Sequence, residues 1–247
     1  MNPGPESPQQ DPAAAPVETD AAAVSERPRG GPSWLLLIGI AVLVMMLVRG
    51  FLVQSFYVPS GSMEPTIQPG DRILVNKLVS ADGLHRGDVV VFDGTTSFAA
   101  GDREPHQDDG VIGRVLGSAA SLVGIDLGEQ DFVKRVIGLP GDHVVCCDAQ
   151  ARLTVNGTPL TEPYVMPGDK ASEQAFDITV PAGRLWVMGD HRSDSADSRS
   201  HLGDPGGGTV RLDDVIGRAG ATYWPLSRVG GFDSPEALAD IPRAAQP

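Results

Sequence analysis

From Trp34 to Val48 the chain runs fifteen residues without a charge, WLLLIGIAVLVMMLV. After Arg49-Gly50 the apolar run resumes with Phe51-Leu52-Val53. As a helix, the 20 residues Trp34–Val53 would extend roughly 30 Å, about one bilayer hydrocarbon core. We therefore expect a transmembrane helix over residues 33–53; a buried core helix is the competing reading. A cleavable signal peptide fits less well, because more than 30 residues precede the run and no A-x-A site follows it. Arg49 near the end of the span can extend its stem to the interface. Arg27 and Arg29 favour a cytoplasmic N-terminus, although Arg49 on the far side weakens that signal. The rest of the chain would then lie outside the cytoplasm.

Residues 1–32 contain no aromatic side chain and almost no large aliphatic one, so we expect a disordered cytoplasmic tail. From Tyr57 onward the pattern changes to short runs broken by Gly, Pro and Asp. Arg72–Val79, Asp88–Phe92, Asp131–Gly138, His143–Cys147, Arg152–Asn156 and Arg184–Met188 read as strands, and Thr209–Ala219 as a further one. With 30 Gly and 21 Pro the composition suits turn-rich β structure. The expectation is a mainly β domain over 54–228, a smaller β subdomain over about 146–184, and a C-terminal tail over 229–247. Residues 93–130 read as an insertion, with apolar residues at helical spacing over 110–127. The net charge of −13 argues against a nucleic-acid partner. Two cysteines, Cys146 and Cys147, exclude a disulfide scaffold and a cysteine-built zinc site. Neighbouring cysteines close only a strained ring, so we expect one buried and one half-exposed thiol, although an exported location permits their oxidation.

The densest local pattern is Tyr57–Gly70, YVPSGSMEPTIQPG. Pro59 and Pro65 stiffen it, and Gly61 permits close approach of a ligand's backbone. A rigid loop presenting a small hydroxyl suits acyl transfer, provided a base is near. None of the five histidines has a distinctive setting, although a Ser-His-Asp arrangement remains open. Of three lysines, Lys170 sits among polar residues, while Lys77 and Lys134 each sit in an apolar strand. Burial would depress the pKa of such a lysine and make it a general base. Alternation along the strand lets Lys134 face a pocket while Arg135 faces water or an acidic partner. A third cluster, Met188–Arg199 (MGDHRSDSADSR), can build a buried polar network. It lacks the spacing of a calcium loop, so no metal and no cofactor is expected.

In this order, VPSGSMEPT (58–66), GDRILVNK (70–77), RGDVVVF (86–92), VKRVIGLPGD (133–142) and MGDHRSDSADSR (188–199) resemble the bacterial type I signal peptidases, membrane-bound Ser-Lys endopeptidases of the S26 family. The resemblance implies a signal-peptidase/LexA-like β fold. It implies Ser62 as nucleophile and Lys134 as base. The oxyanion hole would combine the Ser62 backbone N–H with the Ser60 hydroxyl. Ser195 would orient the lysine, and Asp190, Asp197 and Arg199 would brace their loop. Small apolar substrate pockets would be walled by Phe56, Val58, Met63, Ile67, Phe132 and Val133. The implied partners are signal-peptide-bearing preproteins cut after A-x-A-like sites, and membrane lipid. His191 departs from the family's usual G-D-N-R, reading Gly189-Asp190-His191-Arg192. A catalytically silent scaffold or a self-cleaving Ser-Lys relative are the alternatives.

Overall fold

The computed structural model describes Met1, residues 34–80, 83–98 and 131–232, and residues 234–235, 238 and 240–242. The expected N-terminal tail, the helical stretch 110–127 and most of the insertion lie outside the described residues. Two compact units divide the chain at Ala41. The first contributes the start of helix α1, Trp34–Phe51. Its described side chains from Trp34 to Met45 are exposed, so this stretch is apolar around its whole circumference. Among the described residues no helix is long and apolar enough to cross a membrane.

The apolar run does not stay helical to Val53. Strand β1, Val53–Tyr57, begins there and pairs antiparallel with β2, Arg72–Asn76, from Val53↔Asn76 to Tyr57↔Arg72. Gly50 weakens the helix, and the β-branched Val53 suits the pleated ladder. The other strands are β3 (Val89–Asp93), β4 (Asp131–Gly138), β5 (His143–Cys146), β6 (Leu153–Val155), β7 (Thr158–Pro159), β8 (Phe176–Thr179), β9 (Arg184–Met188), β10 (Val210–Arg211), β11 (Val215–Trp224) and β12 (Gly230–Gly231). The expected strand Thr209–Ala219 is really two, β10 and β11, separated by a single 3-10 turn at Leu212–Asp214. The mainly β expectation is borne out.

The large sheet has the order β1-β2-β11-β3-β4-β9-β10, with β12 added to β11. β3 reads as a continuous apolar run because both of its faces are buried. Val89 and Val91 join a cluster with Phe56, Ile73 and Val133, while Val90 and Phe92 join another with Val136, Leu185 and Val187. The second sheet, β7-β6-β5-β8, packs over a third cluster built on Val144, Leu153, Phe176 and Trp186. Gly138 lets the two bodies meet: a Cβ there would lie 2.8 Å from Val144 and 2.9 Å from Val180. Leu238 and Ile241 are buried in the same third cluster, so the folded body continues past residue 228. Cys146 and Cys147 are joined by a disulfide, the oxidised alternative; Cys146 is buried and Cys147 half-buried, as expected.

Candidate active site

The Ser62 loop leaves β1 and closes on itself before β2. The Glu64 N–H donates to the Gly61 carbonyl at 2.9 Å, and the Ile67 N–H to the Met63 carbonyl at 2.9 Å. Met63 and Ile67 anchor it by sinking into the cluster of Phe56, Val58 and Val133. Lys134 comes from β4, paired with Val90 of β3. These two supports bring residues 72 positions apart together: Lys134 Nζ lies 2.8 Å from Ser62 Oγ in a buried hydrogen bond. Ser60 Oγ lies 3.5 Å from Ser62 Oγ on the exposed side of the loop.

Lys134 is 3% exposed. Burial lowers its pKa from 10.5 to about 8, against the pull of the Asp197 and Asp190 carboxylates, while Arg199 adds to the lowering. The Phe132 ring, 5.9 Å from Nζ, is part of the apolar surround. Lys77 is exposed and stands in the turn after β2.

Arg135 does not face water. It is buried and grips Asp190 with both arms, Nε to Oδ1 at 2.8 Å and Nη2 to Oδ2 at 2.6 Å. Its guanidinium also sits 4.2 Å over the Tyr164 ring. Thr66 Oγ1 donates to the same Asp190 carboxylate at 2.5 Å, tying the serine loop to the 189–199 loop. Asp197 accepts from Arg199 Nε at 2.8 Å and Nη2 at 2.7 Å, and from the Gly189 N–H at 2.9 Å. Burial pushes the Asp197 carboxyl up, but the Arg199 guanidinium and the Gly189 N–H outweigh it and hold the group below its usual value. Arg192 Nη2 donates to Glu162 at 2.5 Å, bracing the loop from the other side.

Of the expected site residues, Ser60, Ser62 and Lys134 converge. Asp197 and Arg199 form an ion pair within their loop, whereas the partner of Asp190 is Arg135 on β4. Phe56, Val58, Met63, Ile67 and Val133 form one buried floor. Phe132 stands apart from that floor, stacked on Phe92 at 5.8 Å. Ser195 is brought to the site but not hydrogen-bonded to Lys134. Its Oγ is buried without a hydrogen bond of regular geometry, and it helps to hold the Asp197 carboxyl below its usual value. Gly189 is what admits it: a Cβ there would lie 2.2 Å from Ser195 Oγ and 2.4 Å from the Ser62 carbonyl oxygen. Thr66, Glu162 and Arg192 have no role in the site as read from sequence, whereas His191 stands out there only as a departure from the family motif. Thr66 and the 190–192 segment lie inside the quoted motifs, and that was the available signal.

A serine hydroxyl hydrogen-bonded to a buried amine that loses its proton near pH 8, on a mainly β scaffold, is the arrangement of serine–lysine acyl transfer. The sequence profile described as signal peptidase, peptidase S26, matches residues 32–224, and the chain belongs to that family. A protein described as probable signal peptidase I from Mycobacterium leprae (strain TN) is 38% identical over 246 residues, covering 87% of this chain and 84% of its own. Signal peptidase I of Mycobacterium tuberculosis (strain ATCC 25618 / H37Rv) is 39% identical over 216 residues, covering 79% and 73%. Signal peptidase I T of Bacillus subtilis (strain 168) is 31% identical over 205 residues, covering 79% and 86%. The crystal structure of a signal peptidase I from Enterococcus faecalis V583 is 26% identical, with a TM-score of 0.34, covering 55% of this chain and 95% of that one.

Proposed function

We propose that this serine endopeptidase is a type I signal peptidase that removes N-terminal signal peptides from exported preproteins with a Ser62–Lys134 dyad. The observation that carries the reading is the 2.8 Å contact between Ser62 Oγ and a lysine whose pKa is lowered to about 8. Neutral Lys134 accepts the Ser62 proton as Oγ attacks the scissile carbonyl. The developing oxyanion rests on the Ser62 N–H and the Ser60 hydroxyl. Protonated Lys134 then donates to the leaving amine. A water, deprotonated by the same lysine, hydrolyses the ester and returns Ser62 to its starting state.

Asp190, Asp197 and Arg199 support the base by fixing the loop beside it, and Ser195 lies buried in that loop, acting on Asp197. The floor of Phe56, Val58, Met63, Ile67 and Val133, with Phe132 at its margin, shapes shallow apolar pockets. Such pockets take alanine at alternating positions of an extended peptide, which favours A-x-A-like sites. The all-round apolar surface of α1 from Trp34 to Met45 supports a single membrane anchor, because a helix apolar on every side must be covered by protein or lipid. Arg27 and Arg29 before it support a cytoplasmic N-terminus and a catalytic domain on the outer side.

The test is incubation of the full-length protein, in detergent, with a preprotein carrying an A-x-A site. Mass spectrometry locates the cut, and Ser62→Ala and Lys134→Met run beside the parent. Cleavage after the second alanine by the parent alone is the expected result. Cleavage by Lys134→Met would place the base elsewhere. No cleavage even in a lipid bilayer would favour a silent scaffold.

A further inference from the structure

The geometry points to His191 as a positioning residue that aims the oxyanion hole: its Nδ1–H donates to the Gly61 carbonyl and so fixes the plane of the Gly61–Ser62 peptide. This rests on the reading of Ser62 as the nucleophile.

Two contacts carry it. The His191 backbone N–H donates to the Ser62 carbonyl at 3.2 Å. The ring Nδ1 lies 3.3 Å from the Gly61 carbonyl oxygen. One residue therefore holds both carbonyls that flank the nucleophile. The Gly61 carbonyl belongs to the same peptide unit as the Ser62 N–H, the proposed oxyanion donor. That unit is planar and trans, so its C=O and N–H point in opposite directions. Anchoring the oxygen sets the direction of the N–H.

The Gly61 carbonyl also accepts the Glu64 N–H at 2.9 Å, which leaves its second lone pair for the ring. Donors on a carbonyl polarise the peptide and strengthen its own N–H as a donor. A carbonyl oxygen opposite Nδ1 selects the forms of histidine that carry a proton there: the Nδ1–H tautomer or the imidazolium. The Glu64 carboxylate lies 3.9 Å from the same Nδ1. Glycine at 61 cannot hold this plane through side-chain packing, so an outside anchor has a specific task.

Three substitutions separate aim from packing. In asparagine the side-chain N–H₂ is as many bonds from the backbone as Nδ1. His191→Asn therefore restores a donor at the same place. Aspartate has the shape of asparagine but offers only acceptors, so His191→Asp sets a negative oxygen against the Gly61 carbonyl. His191→Leu fills space with no donor. With the A-x-A preprotein, His191→Leu should lower kcat about 10- to 100-fold, a part of the loss seen when an oxyanion donor is deleted. His191→Asp should lower it further, His191→Asn should recover most of it, and KM should stay within about twofold throughout. Thermal unfolding of each variant reports whether the fold is intact, and if the aspartate variant does not fold, the Leu–Asn pair decides.

Equal kcat in parent, Leu and Asp variants would overturn the inference. So would equal losses in Leu and Asn variants, since packing and not a donor would then be at issue. A parent that does not cut, with every variant equally silent, would instead overturn the reading of the chain as a signal peptidase.

Discussion

Ser62 and Lys134 meet between two supports of opposite chemistry. The serine loop rests on an apolar floor in which Met63 and Ile67 are pinned among Phe56, Val58 and Val133. The 189–199 loop is held by buried charge: Asp190 to Arg135, Asp197 to Arg199 and Arg192 to Glu162. Apolar packing removes water without adding a field, and it is the reason the lysine gives up its proton easily. Ion pairs contribute little net stability once desolvation is counted, but they fix geometry and leave carboxylates near the amine. Those carboxylates pull the lysine back toward its charged form. The base strength at about 8 is the balance of the two supports, so neither can be changed without moving it.

The comparison breaks most visibly on the charged side. Arg135→Leu strands the Asp190 carboxylate in the interior and should cost about 3–5 kcal/mol by denaturant unfolding. Arg135→Leu with Asp190→Leu should cost far less, since no charge is left alone. If the single and double variants lose the same stability, the pair is not acting as a closed charge unit.

On the apolar side, Met63→Ala should cost about 2–4 kcal/mol, from lost transfer energy and the cavity left behind. Unlike the ion-pair case, no second substitution of a neighbour should restore it. A loss below about 1 kcal/mol would mean the floor is slack and does not pin the serine.

The balance itself is read from pH. A lysine must be neutral to act as base, so kcat/KM should rise about tenfold per pH unit and level off above about 8. Asp197→Asn removes the carboxylate with the strongest upward pull on Lys134 and leaves Arg199 in place. The midpoint should therefore move to lower pH, giving a modest gain in the fraction of active base at neutral pH. A midpoint that moves upward would show that Asp197 acts through position and not through charge.

What the sequence discloses follows the same division. The apolar side was legible because burial leaves a pattern: Val89–Phe92 and the β4 run are continuous where both faces are covered. β1 was not, because its first residue continues an apolar run and only pairing with Asn76 makes it a strand. β8 is not evident either; at four residues, Phe176 and Ile178 alternating with Asp177 and Thr179, it is too short a run to stand out. On the charged side the residue types were visible but their partners were not. Alternation placed Arg135 opposite Lys134 and left water or an acid open; only the fold selects Asp190, 55 residues away. The resemblance to signal peptidases supplied Ser62, Lys134 and Ser60, and the structure brings those three together. It supplied Ser195 as the lysine's partner too, and there no hydrogen bond is made.

β11 lies between β2 and β3 in the large sheet, although it follows both by more than a hundred residues. The strands flanking the serine loop and those beside the lysine therefore have no common edge until β11 is inserted. Pairings of such long sequence separation form late and slowly, because the loops they close are entropically costly. β11 is therefore the strand through which the half that carries Ser62 and the half that carries Lys134 become one sheet.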